Sequence, residues 1–200
     1  MLNEAETTLP EFLRDFERGE TRRVYASSEF PDIRRTPAPL WELADLRRYA
    51  SMSVQFSRGC PFACKFCNVT AMLGHRPRTK TTAQVLAELD GLWRLGWRGT
   101  VFFVDDNLIG NQQTLKEELL PALIRWRKGK RSIPFCTEAS INLVDDAKLM
   151  SLMVKAGFNR VSVGTETPEE AGMAECSKHL NQKRCLTTDV TRIQRTGLQV

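Results

Sequence analysis

The stretch TVFFVDD, Thr100 to Asp106, is an almost continuous apolar run that ends in two carboxylates. Such a run is what a strand covered on both faces needs, and strands of that kind belong to parallel sheets flanked by helices. Its neighbours fit the same plan. Upstream, TTAQVLAELDGLWRLG spaces Val85, Leu86, Leu89, Leu92 and Trp93 for a helix, with Thr81 or Thr82 as cap and Gly96 as stop. Further upstream, SVQFS alternates like a short strand.

The unit recurs downstream. TLKEELLPALIRWRKG puts Leu115, Leu119, Leu123 and Trp126 on one helical face, and Pro121 inside it predicts a kink or a late start. IPFCTEASI reads as a strand, DDAKLMSLMVKAG as a helix through Leu149, Leu152, Met153 and Ala156 to Gly157, and RVSVGTE as a fourth strand. Thr167 to Gly197 is predicted helical with a break near Asn181, and LQV begins a fifth strand. Alternation of this kind argues for right-handed crossovers and an α/β fold, a parallel sheet that curves into part of a (β/α) TIM-like barrel. About four complete strand–helix units and the start of a fifth are present.

Residues 1–50 mix charge, Pro and turn formers, and read as an irregular linker arm entering from an upstream domain; residues 51–200 read as a core domain incomplete at its C-terminus. Trp41, with Leu40 and Leu43, is the expected anchor of the arm. The 42% hydrophobic content supports one real core, and no apolar window is long enough for a membrane span. The acidic N-terminus is unlike a secretory signal, so the expected location is cytoplasmic. Net charge is +5, but its densest patch, RWRKGKR at Arg125 to Arg131, suits a helix C-terminus, and no nucleic-acid partner is expected.

The loop after the first strand, RGCPFACKFCN from Arg58 to Asn68, carries three thiols within eight positions. In a reducing compartment clustered thiols are metal ligands or catalysts more often than disulfides. Structural zinc wants four closed ligands, and His75 is the only nearby imidazole. A 4Fe-4S cluster held by three cysteines leaves one iron open, and Pro61 keeps the segment after Cys60 a loop. Cys136, Cys176 and Cys185 are scattered and read as core or surface thiols.

Cys60-Pro-Phe-Ala-Cys64-Lys-Phe-Cys67, set between a strand and a helix, resembles the signature of the radical S-adenosylmethionine (radical SAM) superfamily. The likeness runs from about Trp41 to the end through SVQFSRGCPF, RPRTKTTAQVLAELDGL, FFVDDNLIGN, TEASINL and VGTETP. This series is similar to the branch with an upstream cobalamin-binding domain, which includes hopanoid methylases.

The resemblance implies that Cys60, Cys64 and Cys67 ligate a 4Fe-4S cluster whose open iron is chelated by S-adenosylmethionine, and that reductive cleavage gives a 5'-deoxyadenosyl radical. It places Phe66 against the adenine, Asp105, Asp106 and Asn107 near the methionyl ammonium, and Glu166 at the ribose or methionyl end. Glu138 and Ser140 would face the same cavity. On the residues alone, Asp105 to Asn107 suit a turn and helix cap equally well, and His75 and His179 read as surface or loop residues. The implied activity is cobalamin-dependent methylation of an unactivated carbon, on a small-molecule or lipid-like substrate, with a flavodoxin or ferredoxin as reductant. The alternatives are a tRNA methylthiotransferase-like enzyme, or a non-catalytic iron–sulfur or zinc module. Cut at both ends, the chain is expected to leave its last strand exposed and to bind S-adenosylmethionine weakly.

Overall fold

In the computed structural model, which describes residues 2–130, 133–167 and 169–200, the chain opens with a helix rather than an irregular arm. Helix α1 (Ala5–Arg18) closes on Gly19, whose left-handed φ of 73° ends it. Its support comes from far along the chain. Phe12 meets the Tyr25 ring edge-on at 5.5 Å, and Tyr25 Oη donates to Asp15 at 2.9 Å. An isolated helix of this length is marginal in water, so these contacts, which no local periodicity reveals, decide it. Three short 3-10 turns follow, at Ile33–Arg35, Trp41–Leu43 and Leu46–Arg48. Trp41 packs against the core as expected, whereas Leu40 and Leu43 stay exposed.

The core begins with β1 (Ser51–Val54) and β2 (Ser57–Arg58), then α2 (Val69–Leu73) and β3 (Arg78–Thr79). Helix α3 (Thr82–Arg94) starts from a capping box in which Thr81 and Gln84 satisfy each other's backbone N–H groups. Next come β4 (Thr100–Phe103) and a helical stretch in three parts: α4 (Gln112–Thr114), a π turn (Leu115–Leu119) and α5 (Leu120–Trp126). The Leu120 N–H reaches back to the Leu115 carbonyl, and Pro121, which has no N–H to donate, sits in the first turn of α5. The late start predicted at Pro121 therefore takes the form of one wide turn. Lys130 beyond α5 pairs with Asp90 at 2.7 Å, while Arg131 of the basic run lies outside the described residues.

Strand β5 (Phe135–Ala139), helix α6 (Ala147–Ala156) and strand β6 (Phe158–Val163) complete the repeat. The segment expected to be helical from Thr167 resolves into α7 (Glu170–Glu175), a 3-10 turn at His179–Asn181 and α8 (Leu186–Gln194); its Pro168 lies outside the described residues. The start of a fifth strand is present: Gln199 donates to Asn159 O and accepts from Val161 N, both at 2.8 Å, in a parallel bridge on the β6 edge.

The four main strands form one parallel sheet in the order β1-β4-β5-β6, as the alternation predicts. Met52, Val54, Val101, Phe103, Phe135, Phe158 and Val161 point to one face, against helices α3, α5 and α6. The Phe103, Phe135 and Phe158 rings lie 5.1–5.5 Å apart there. Each fully buried ring contributes about 1.5–3 kcal/mol. The opposite face differs from expectation. TVFFVDD predicts cover on both sides, yet Ser51, Ser53, Glu138 and Arg160 are exposed, and Phe102, Val104 and Cys136 only half-buried. Strand alternation gives the reason: the apolar run serves the helix-covered face through Val101 and Phe103 and leaves the concave face partly open. Among the described residues no helix is long and apolar enough to cross a membrane.

Candidate active site at the strand ends

Parallel strands bring their C-terminal ends to one edge of a sheet, so the residues after β1, β4, β5 and β6 become neighbours. After β1 the antiparallel pair of β2 and β3 pinches off the segment that carries Cys60, Cys64 and Cys67. Gly59 sits at its entrance with φ of 95°, where a Cβ would come within 2.9 Å of the Gly74 and Arg76 carbonyl oxygens. Only glycine fits so close a turn. Cys60 N donates to Gly74 O at 3.2 Å, and Cys67 N donates to Cys64 O at 3.1 Å, so the thiol-bearing loop has fixed ends of its own.

The three thiols line a cavity of about 370 Å³ together with Phe66, Asp106, Asn107, Glu138, Ser140 and Glu166. Every site residue singled out in the sequence is there except Asp105. That carboxylate is 1% exposed and accepts from Phe56 N at 3.1 Å, from Ser57 Oγ at 2.6 Å and from Ser57 N. Burial pushes it up to about 6 against the opposing pull of those hydrogen bonds. Asp105 therefore latches β4 to the chain leaving β1, in place of the cofactor contact expected of it.

Asn107 and Ser140 form one unit across β4 and β5. Asn107 Oδ1 accepts from Ser140 N at 3.1 Å, and its Nδ2 donates to Ser140 Oγ at 3.1 Å. Glu138, expected to need a partner inside an apolar strand, is instead exposed on the concave face. Partial burial of its carboxyl shifts Asp106 upward, although the residue as a whole stays exposed. Glu166 has a left-handed φ of 57° and pairs with Lys178 at 2.5 Å. His75 and His179 are exposed, as expected.

Among the cavity residues that the sequence does not point to, Phe62, Ser162 and Lys178 bring an aromatic ring, a hydroxyl and a charge. Ser162 has a signal, since it alternates with the apolar Val161 in RVSVGTE and so falls on the face away from the core. Lys178 has none. It arrives because the segment after α7 folds over the cysteine loop, where Lys65 N donates to Cys176 O at 3.0 Å, and its ammonium lies 5.7 Å from the Phe66 ring centre.

The donor set can be matched to a group. Burial, and then the neighbouring thiols, raise Cys60; burial likewise raises Cys64, with Lys178 pulling the other way. Such thiols ionise readily only against a positive partner, which iron supplies. Among the described residues no three His, Cys, Asp or Glu side chains converge to chelate one ion. A cubane asks for something else, one thiolate on each of three irons. All six cysteines are free. The residues present fit a 4Fe-4S cluster with polar acceptors beside it.

Comparison with known proteins gives the family and the fold. The sequence model of the radical SAM superfamily matches residues 54–192. An uncharacterized methyltransferase of Synechocystis sp. PCC 6803 is 46% identical over the whole chain, and the hopanoid C-2 methylase of Rhodopseudomonas palustris is 34% identical over 93% of it. The chain spans 37% and 35% of those two proteins. Among solved structures, the cobalamin-dependent S-adenosylmethionine radical enzyme OxsB superposes with a TM-score of 0.79 at 19% identity, covering 98% of this chain and 32% of its own. The radical S-adenosylmethionine methyltransferase TsrM of Kitasatospora setae superposes with 0.74 at 18%, covering 99% and 44%. The fold is thus that of the partial barrel these enzymes share, and the chain belongs to the radical SAM superfamily.

Proposed function

We propose that the cavity binds a 4Fe-4S cluster through Cys60, Cys64 and Cys67, with S-adenosylmethionine beside it, and that the protein is an enzyme of carbon methylation that uses cobalamin. The observation that carries this reading is the meeting of three free thiols with polar residues from the ends of β4, β5 and β6 in one cavity. When bound, the cluster supplies the electron that cleaves the sulfonium to a 5'-deoxyadenosyl radical.

The chain's own residues do the rest. Asp106 and Asn107 offer acceptors to the methionyl ammonium, and Asn107 is held for it by Ser140. Glu166 offers its carboxylate to the ribose hydroxyls, with Lys178 fixing its direction. Phe66, half-exposed, provides a flat face for adenine. Glu138 lines the concave side toward the substrate.

We place the core at residues 51–200 and treat 1–50 as the arm that joins it to an upstream region carrying cobalamin. The substrate class is a small or lipid-like molecule, a reading supported by the methylases among the relatives. The electron source is a low-potential one-electron carrier such as flavodoxin or ferredoxin, and the cytoplasm is the compartment that keeps the thiols reduced.

Anaerobic reconstitution with ferrous iron and sulfide tests the proposal. The expected product is brown, holds four irons per chain, and changes its electron paramagnetic resonance signal when S-adenosylmethionine is added. Colourless, iron-free protein would overturn it.

A further inference from the structure

Arg58 and Arg78 are register partners across the β2–β3 pair, and that pair is the neck of the segment carrying Cys60, Cys64 and Cys67. Like charges directly opposite each other on neighbouring strands repel and favour opening. Both side chains are mostly buried, at 17% and 19% exposure, so solvent screens little of that repulsion.

The compensating charge comes from the far N-terminus. Glu4, whose side chain is 5% exposed, accepts from Arg58 Nη1 at 2.5 Å and from Arg78 Nη1 at 3.2 Å through one oxygen, and from Arg78 Nη2 at 2.5 Å through the other. Glu6 takes Arg58 Nη2 at 2.9 Å and is held in turn by Thr36 Oγ1 at 3.0 Å. Burial works against ionising Glu6, yet the hydrogen bond and charge of Arg58 hold its carboxyl below the usual range. Arg78 also donates to Pro31 O at 2.7 Å and to Leu73 O at 3.0 Å. One guanidinium therefore ties the arm to the last turn of α2, on the far side of the thiols.

We infer that Glu4 is a positioning residue for the cysteine loop: by neutralising the cross-strand Arg58–Arg78 pair, the N-terminal arm keeps the neck of that loop shut. Glu4 lies well ahead of residues 54–192, so nothing in the superfamily's own span supplies this contact. The loop's service as a cluster site rests on the function proposed above; closure of its neck does not.

Glu4→Gln keeps the shape and removes the charge. Hydrogen exchange of the cluster-free protein should show amides in residues 59–77 opening about tenfold more often, with β4, β5 and β6 unchanged. Glu11→Gln, which breaks an exposed pair with Arg22, should leave the loop as it was. Adding Arg58→Gln to Glu4→Gln removes the repulsion while leaving the Arg78 ties to Pro31 and Leu73, and should restore protection, which a purely packing role for Glu4 does not allow. After reconstitution, Glu4→Gln should lose iron to a chelator faster than the parent, and the double variant more slowly than Glu4→Gln.

Parent-like exchange in Glu4→Gln, or no recovery in the double variant, overturns the inference. If Glu4→Gln alone does not fold, recovery of folding in the double variant carries the test, and its absence counts against the inference. A parent chain that takes up no iron while the exchange effects hold would sink the cluster reading and leave the clamp standing.

Discussion

Strands β4, β5 and β6 begin and end in different chemistry. At their starts Val101 stands in register with Phe135, and Phe135 with Phe158, all buried. At their ends Glu138 stands in register with Ser162, and Asn107 bonds to Ser140 beside three thiols. The same strands thus carry a rigid base and a polar rim within about five residues, roughly 17 Å of extended chain. Stability and chemistry are separated along each strand, so one can be perturbed without the other.

The largest effect on stability should come from the base. Phe135→Ala empties the centre of the ring cluster and is expected to cost about 3–5 kcal/mol in a urea melt, with iron uptake falling only as the folded fraction falls. Asp105 comes next, and it belongs to the base although it sits at the rim. Its folded pKa of about 6 lies above the ordinary 3.8, so protonation favours the folded chain. The stability it contributes is full below about pH 4 and is lost as pH rises through 6, by up to about 3 kcal/mol. Urea midpoints of the parent and of Asp105→Asn between pH 4 and 7 check this: the parent should lose ground to the variant as pH rises, and parallel curves would refute it.

Asn107→Ala should cost about 1–3 kcal/mol, because it strands the Ser140 N–H. Cys64→Ser should change the melt least, within about 1 kcal/mol, since its thiol is part-exposed and bonds to nothing that holds the fold. Yet it should abolish iron retention, while Cys136→Ser, outside the cavity, keeps it. Equal iron in both would erase the distinction between base and rim.

The base was easier to read in the sequence than the rim. Helix stripes, Gly stops and the capping box at Thr81 are local patterns, and the parallel sheet follows from their order. Nearest-neighbour spacing also delivered the three cysteines. Asp105 and Asp106 adjoin and look alike in the sequence, although strand parity separates them: Val101, Phe103 and Asp105 share one face. Lys178 and helix α1 were illegible for another reason. Each depends on contacts with residues ten or more positions away, Lys178 with Glu166 and α1 with Tyr25, and such contacts leave no periodic mark. Glu4 is the extreme case, 54 positions from Arg58.

The π turn at Leu115–Leu119 has a consequence for how this chain tolerates change in length. One added residue there lets Leu115, Leu119, Leu120 and Leu123 all reach the core, and it delivers Trp126 Nε1 to Asp90 at 2.8 Å. Deleting a single residue from that turn would wind the stretch back to regular α geometry and swing α5 by about 100° about its axis, carrying Trp126 away from α3. Substitutions in this helix are therefore safer than deletions, and its residue count is as much a part of the fold as its leucines.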